Sequence, residues 1–344
     1  MTGKKILNVL QGQIETVPPV WLMRQAGRYL PEYQKIRAQA GNFLDLVFNP
    51  EWACEVTLQP IRRYGFDAAI LFSDILVVPQ ALHCAVRFEE GEGPRLQAVN
   101  HAFIENLDVH KADLSIFDPV FETVERISHG LKDEGFNDTA LIGFAGSPWT
   151  VACYMIDGGG SKDFTKSLFW VKNSPEDLQK LIDALVDVTV AYLVKQIASG
   201  AEIIQLFDSW SGLLTEEEDF RRWVIEPTKK IVGKLKGFYP SIPVIGFPRG
   251  AGPHYMIYAA ETGVHCLGLD QHVTMNKARR YQSLLPVQGN LAPEVLVSGE
   301  DLEKNIETII SSLAEGPHIF NLGHGIIKET PPENVTRLVN FIRK

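Results

Sequence analysis

Eight apolar runs of buried-strand length punctuate this chain, each followed by a longer stretch of helical periodicity, and that alternation leaves few folds open. The runs are Val20 to Gln25, Ala68 to Asp74, Ala140 to Ser147, Glu202 to Asp208, Val244 to Arg249, Val264 to Asp270, Val287 to Leu291 and Ile319 to His324. Strands buried on both faces read as near-continuous apolar runs, and parallel pairing requires a crossover, usually a helix. The chain has 344 residues, 45% of them hydrophobic, and no Pro/Gly/Ser-rich linker separates any two runs. Eight β-α units in that length favour one closed (β/α)8 TIM barrel over two smaller sheets. The expectation is a single domain spanning residues 1–344.

The intervening segments fit. Asn173-Ser174-Pro175-Glu176-Asp177, followed by Leu178, Leu181, Ile182, Leu185 and Val186, reads as a capped amphipathic helix, and Thr215-Glu216-Glu217-Glu218 opens another. Val77 to Val99 differs, because short apolar runs there are broken by Glu89-Glu90-Gly91-Glu92-Gly93-Pro94, the marks of a turn between two strands. It is expected to be an antiparallel β insertion after the second strand.

Charge excludes several function classes. With 33 Lys and Arg against 42 Asp and Glu the net charge is −9, so no chain-wide attraction to nucleic acid or anionic membrane is expected, and anion binding has to be local. No run approaches the roughly 18 apolar residues of a membrane span. The N-terminus, Met1-Thr2-Gly3-Lys4-Lys5, starts basic but lacks an apolar stretch of signal-peptide length. Cys54, Cys84, Cys153 and Cys266 are scattered without metal-ligand spacing, as in a reduced compartment. A cytoplasmic protein is expected.

In this architecture the site is built from the C-terminal strand ends. Here those ends are polar or carry glycine: Arg24 and Arg28, Ser73-Asp74, Gly146-Ser147-Pro148-Trp149 leading to Tyr154, Asp208-Ser209, Pro248-Arg249-Gly250, Gly289-Asn290 and Gly323-His324-Gly325. Two guanidiniums near one strand end would clamp carboxylates or phosphates, although two solvated arginines four apart on a helix face give the same pattern. Asp74 serves a site or caps the next segment. Tyr154 is a ligand contact or a core aromatic, and His324 is an accessible imidazole or a turn residue. Asp157-Gly158-Gly159-Gly160-Ser161 lacks the GxxxxGK[ST] pattern and is expected to line the site as a mobile loop. No hydrolytic triad order, GxSxG elbow or HExxH signature occurs, so a cofactor-free, metal-free site is expected.

Five motifs in order, Met23-Arg24-Gln25-Ala26-Gly27-Arg28-Tyr29-Leu30-Pro31-Glu32, Phe72-Ser73-Asp74-Ile75, Phe144-Ala145-Gly146-Ser147-Pro148-Trp149-Thr150, Gly158-Gly159-Gly160-Ser161-Lys162 and Asn321-Leu322-Gly323-His324-Gly325, closely resemble the uroporphyrinogen decarboxylase family across nearly the whole chain. The resemblance implies a homodimeric (β/α)8 barrel that removes CO2 from the four acetate arms of uroporphyrinogen without a cofactor, in haem synthesis. It implies substrate contacts from Arg24, Gln25, Ala26, Gly27, Arg28, Asp74, Tyr154, Ser209 and His324. Asp74 would face the pyrrole N–H groups and stabilise a cationic ring. Arg24 and Arg28 would hold carboxylates, one of them the reacting acetate. Arg37 matches a family arginine and is a candidate proton donor or, since a guanidinium pKa lies above about 12, a holder of a carboxylate or water. Phe144 and Phe207 would pack on the ring or in the core.

Two rivals remain in view. Cobalamin-dependent methyltransferases of similar fold hold zinc with a His-x-Cys pair, whereas this chain ends the corresponding strand in Gly246-Phe247-Pro248-Arg249, and His265 and Cys266 are adjacent. A non-catalytic tetrapyrrole binder could use the same cleft but would have no need of Asp74.

Overall fold

The computed structural model describes residues 3–89, 93–161 and 163–344; Met1, Thr2, Lys162 and the expected turn tip at 90–92 lie outside them. Its strands are β1 (Ala68–Ile70), β2 (Val86–Glu89), β3 (Gly93–Leu96), β4 (Ala140–Gly146), β5 (Ile203–Asp208), β6 (Val244–Pro248), β7 (Cys266–Gly268), β8 (Val287–Gln288) and β9 (His318–Ile319). Seven of them curl into one parallel sheet in the order β1-β4-β5-β6-β7-β8-β9, wrapped by helices. Every residue of β4, β6, β7, β8 and β9 is buried, which is why β4, β6 and β7 carry unbroken apolar runs.

The eighth stave is one residue wide. Val20 bridges Phe320 in parallel, with Phe320 N–H donating to the Pro19 carbonyl at 2.8 Å and Trp21 N–H to the Phe320 carbonyl at 3.4 Å. On its other side Asp67 N–H donates to the Val20 carbonyl at 3.0 Å, and the Asp67 carboxylate accepts the Val20 N–H at 2.8 Å. Pro18 and Pro19 bring no N–H to a ladder. Beyond Trp21 the chain turns, with Gln25 N–H on the Leu22 carbonyl at 3.0 Å and Arg24 at φ 63°. The expected strand Val20 to Gln25 is therefore a single bridge running into a buried turn. A buried turn needs the same apolar residues as a buried strand, so composition does not separate them. The wall is a TIM-like barrel.

The antiparallel insertion is present as β2 and β3, in register Val86 with Leu96 and Glu89 with Gly93. The apolar segment Val77–Ala81, at the start of the expected insertion, is a short helix instead. The glycine loop is tied to this pair: Leu96 N–H donates to the Gly158 carbonyl at 3.1 Å, and Gly159 bridges Arg95. Gly159 has φ 145°, and a Cβ there would lie 2.6 Å from the Pro94 carbonyl oxygen, so only glycine permits the approach.

The helix Pro175–Ala198 opens at the expected proline, but Ser174 supplies no side-chain cap. The segment after Thr215 is helical from Glu217–Phe220 through a π-helical stretch, Arg221–Ile225, into Glu226–Phe238. One side chain of Pro175–Ala198 replaces a missing strand partner. β1 ends at Ile70, opposite Ile142, while β4 continues to Gly146. Two residues above Ile142, the Phe144 N–H and carbonyl point toward the vacated side. Gln196, fully buried, accepts the N–H at 2.9 Å and donates to the carbonyl at 3.0 Å. Gln196→Ala leaves both groups buried and unpaired, and should lower stability by about 2–4 kcal/mol, read as a reduced urea midpoint at unchanged m-value.

Candidate active site

The turn after Val20 presents Arg24 to the barrel mouth. Arg24 takes a left-handed backbone conformation, and its side chain runs across Gly325, where a Cβ would overlap the arginine Cδ. Among the described residues the N–H groups of Ala26, Gly27 and Arg28 have no partner, which leaves successive donors at an open turn. Gln25 is fully buried; its amide accepts the Leu22 N–H at 3.1 Å and donates to the Ala68 carbonyl at 3.0 Å, so its side chain anchors the turn to β1. Neither Arg24 nor Arg28 lies on a helix, because the following helix begins only at Pro31–Gln39, and neither has an acidic partner among the described residues. The alternative of two arginines on a solvated helix face therefore falls away.

Asp74 follows β1 and is half-buried. One of its oxygens, Oδ1, accepts the Leu76 N–H at 2.8 Å as the chain turns into Val77–Ala81, so a local capping bond exists, and Oδ2 remains available. Burial pushes its carboxyl up to about 6, against the opposing pull of the Leu76 N–H and the Arg24 guanidinium. It stays ionised at neutral pH in a dry setting. Tyr154, half-buried on the helix Pro148–Asp157, packs edge-on to Phe164 at 5.8 Å and Trp210 at 6.2 Å. Burial raises its phenol, the Trp210 contact opposes, and the charges of Asp74 and Arg24 both reach it.

His324 accepts the Gly325 N–H on Nδ1 at 2.5 Å, so a neutral imidazole carries its proton on Nε2. Burial, reinforced by Arg249 and Arg24, pushes its pKa down to about 4, so it is a neutral donor at physiological pH.

The expected site residues thus divide. Arg24, Asp74, Tyr154 and His324 share one electrostatic neighbourhood. Arg28 and Arg37 act together elsewhere, on the Tyr33 phenol, whose pKa burial raises and both guanidiniums lower. Tyr33 joins the two groups through Phe72, whose ring is 5.7 Å away. Arg37 donates to the Gly41 carbonyl at 3.2 Å. Phe144 and Phe207 meet edge to face at 5.6 Å.

Ser209 is held by neighbours to which the sequence analysis gives no individual role. Thr150 donates to Asp208 Oδ1 at 2.6 Å and accepts the Trp210 N–H at 3.0 Å, fixing the residues on both sides of Ser209, and Trp149 Nε1 donates to the Trp210 carbonyl at 3.0 Å. Asp208 is fully buried, which pushes its carboxyl up to about 7. Asp270 was likewise not singled out; it accepts the Gly250 N–H, the Tyr255 hydroxyl and the His272 N–H, each at 2.8 Å. The signal in the sequence was an aspartate closing an apolar run, as at Asp74.

Residues 1–344 match the family model described as uroporphyrinogen decarboxylase (URO-D). A uroporphyrinogen decarboxylase of Granulibacter bethesdensis is 50% identical over 343 residues, covering 99% of both chains. That of Rhodospirillum rubrum is 51% identical over 345 residues, covering 99% of this chain and 97% of its own. Among solved structures, a methyltransferase from Methanosarcina mazei superposes over 100% of this chain and 98% of its own with a TM-score of 0.80 at 18% identity, a likeness of fold. By the whole-length match and the two full-length relatives, the chain belongs to the uroporphyrinogen decarboxylase family.

Proposed function

We propose that the chain, acting over residues 1–344 as one catalytic domain, removes the four acetate carboxyls of uroporphyrinogen III as CO2. The products are coproporphyrinogen III and CO2, for porphyrin and haem synthesis, and no cofactor is used. What carries this reading is the charge arrangement at one barrel mouth: a half-buried, ionised Asp74 with a free oxygen, acted on by Arg24, which lacks an acidic hydrogen-bond partner among the described residues. That arrangement suits a ligand with a cationic centre and an anionic rim.

The pyrrole supplies the electron sink that a cofactor supplies in other decarboxylases. A proton adds to the pyrrole α-carbon beside the carbon that bears the acetate arm, the C–C bond electrons flow into the cationic ring as CO2 leaves, and the resulting exocyclic methylene is protonated to a methyl while the α-carbon returns its proton. Net, one proton replaces one CO2 on each arm. Asp74 Oδ2 faces the pyrrole N–H groups and stabilises the cation in a medium of low dielectric. Arg24 orients the reacting acetate, and the open N–H groups at Ala26 to Arg28 receive another arm. Gln25 contributes by holding that turn. Tyr154, Ser209 and the Nε2–H of His324 donate to arm oxygens. Arg28 and Arg37, set apart from Asp74, hold a carboxylate or a water.

A homodimer in the cytoplasm, without nucleic-acid or membrane partners, belongs to the same proposal; light scattering on the purified chain tests the dimer. Among the described residues no helix is long and apolar enough to cross a membrane. A zinc methyltransferase is disfavoured by the donor set: His265 uses Nδ1 to accept the Val244 N–H at 3.0 Å, and Cys266 is buried in β7.

Anaerobic incubation with uroporphyrinogen, followed by oxidation and chromatography, should give porphyrins with seven down to four carboxyls. No such species would reject the enzyme reading. Asp74→Asn should cut kcat/KM by roughly a hundred- to a thousandfold yet stabilise the fold. The folded pKa, about 6, lies above the unfolded value of about 3.9, so ionising Asp74 costs stability that is intact below pH 4 and lost as pH rises through 6. The variant's melting temperature should therefore exceed wild type by a few degrees at pH 7.5 and match it below about pH 4. The acid limb of kcat/KM should fall near pH 6 and survive in His324→Gln, because His324 titrates near 4. Gly325→Ala displaces the Arg24 side chain and should raise KM by about tenfold in an intact fold.

A further inference from the structure

Arg249 follows β6 at the barrel mouth, half-buried, and its backbone is held firmly. Its N–H donates to the Asp208 carbonyl at 3.0 Å, and its carbonyl accepts the Ser211 hydroxyl at 2.9 Å and the Gly212 N–H at 3.1 Å. The next residue, Gly250, is fixed by its 2.8 Å bond to Asp270. The guanidinium itself has no carboxylate or carbonyl partner among the described residues. Two arginines away from the site, by contrast, hold acids: Arg62 pairs with Glu55 and Glu134, and Arg337 with Glu303. The acidic groups on the neighbouring strand ends do not pair with it: both Asp270 oxygens accept N–H or O–H groups, and Asp208 is fully buried, with Oδ1 holding Thr150 and Oδ2 making no hydrogen bond. A half-buried cation without a counter-charge is costly and marks a place where an anion arrives.

Its place in the ring says which anion. Counting the Val20 bridge as the first stave, β1 is second, β4 third, β5 fourth and β6 fifth, so the strand that carries Arg249 is four staves of eight from the bridge that leads to Arg24, on the far side of the mouth. A macrocycle lying over that mouth presents carboxylate arms to both sides at once. Asp74, on the second stave, feels Arg24, whereas His324 feels both Arg24 and Arg249.

We propose, building on the decarboxylase reading, that Arg249 binds a propionate carboxylate of the macrocycle on the side away from the reacting acetate, and so sets affinity for substrate and product rather than the rate of C–C cleavage. Propionates survive the reaction. The same contact therefore holds coproporphyrinogen, which acetate contacts cannot do.

The test uses full-length Arg249→Gln and Arg249→Lys with wild type as reference. KM for uroporphyrinogen and the inhibition constant of added coproporphyrinogen should both rise about tenfold in Arg249→Gln, with kcat within about twofold of wild type. Arg249→Lys should recover part of both losses, because it restores the charge without the planar fork. If both constants stay at wild-type values, or kcat falls while they do not move, the proposal is overturned. A melting curve identifies a Gln variant that fails to fold, in which case the lysine variant decides: both constants raised at preserved kcat supports the assignment, and wild-type values refute it. Failure of the decarboxylase reading shows separately, as a wild-type chain that releases no CO2 from uroporphyrinogen.

Discussion

The barrel is closed by one residue. Val20 bonds Asp67 on one side while its neighbours Pro19 and Trp21 bond Phe320 on the other, and the turn that carries Arg24 hangs from that closure. The turn is then tied to the last stave, with Met23 N–H on Asn321 Oδ1 at 2.9 Å and Ile326 N–H on the Met23 carbonyl at 2.8 Å, and to β1 through Gln25. The arginine turn, the Asp74 end of β1 and the His324 loop thus share one set of bonds, and each is located relative to the others by the same closure. A longer first strand would give a stronger seam but would carry Arg24 away from the mouth.

Burial tunes the charged groups of this mouth in opposite senses. It drives Asp74 toward protonation and His324 away from it, and Arg24 acts on both, favouring the carboxylate and disfavouring the imidazolium. At neutral pH the result is one carboxylate, several guanidiniums and a neutral hydrogen-bond donor. The charges are those needed to bind a ring that becomes cationic while its arms stay anionic. Their separation around the mouth, with Asp74 on one stave and Arg249 three staves further on, keeps them from neutralising one another.

Much of this was legible in the sequence. Seven of the eight expected strands are strands because parallel sheets demand apolar residues on both faces, and the polar groups that end them stand out against that background. The eighth, at Val20, was misread as longer than it is because burial, not strand pairing, sets apolar composition. Gln25 reads as a polar residue inside a ligand motif, and nothing in its type reveals that both ends of its amide serve the backbone. Arg249 stands in the sequence among the polar strand ends, but nothing in its type shows that its guanidinium has no acidic partner. The antiparallel insertion was legible from its turn residues, whereas its stitching to Gly159 depends on a pairing between segments more than sixty residues apart.

The replacement of a strand by Gln196 has a mechanical consequence. Above Ile142 the second and third staves part, and the amide that spans the gap is bonded at both ends to β4 rather than to β1. The mouth is therefore a ring with a notch, with Asp74 on one lip and the segment leading to Tyr154 on the other. Both lips are braced, the β4 lip by Gln196 and the β1 lip by the Phe72 N–H on Thr57 Oγ1 at 3.1 Å, and Ile75 closes the gap against Gly146, so Asp74 is held at a fixed place on the rim although no strand ladder holds it there.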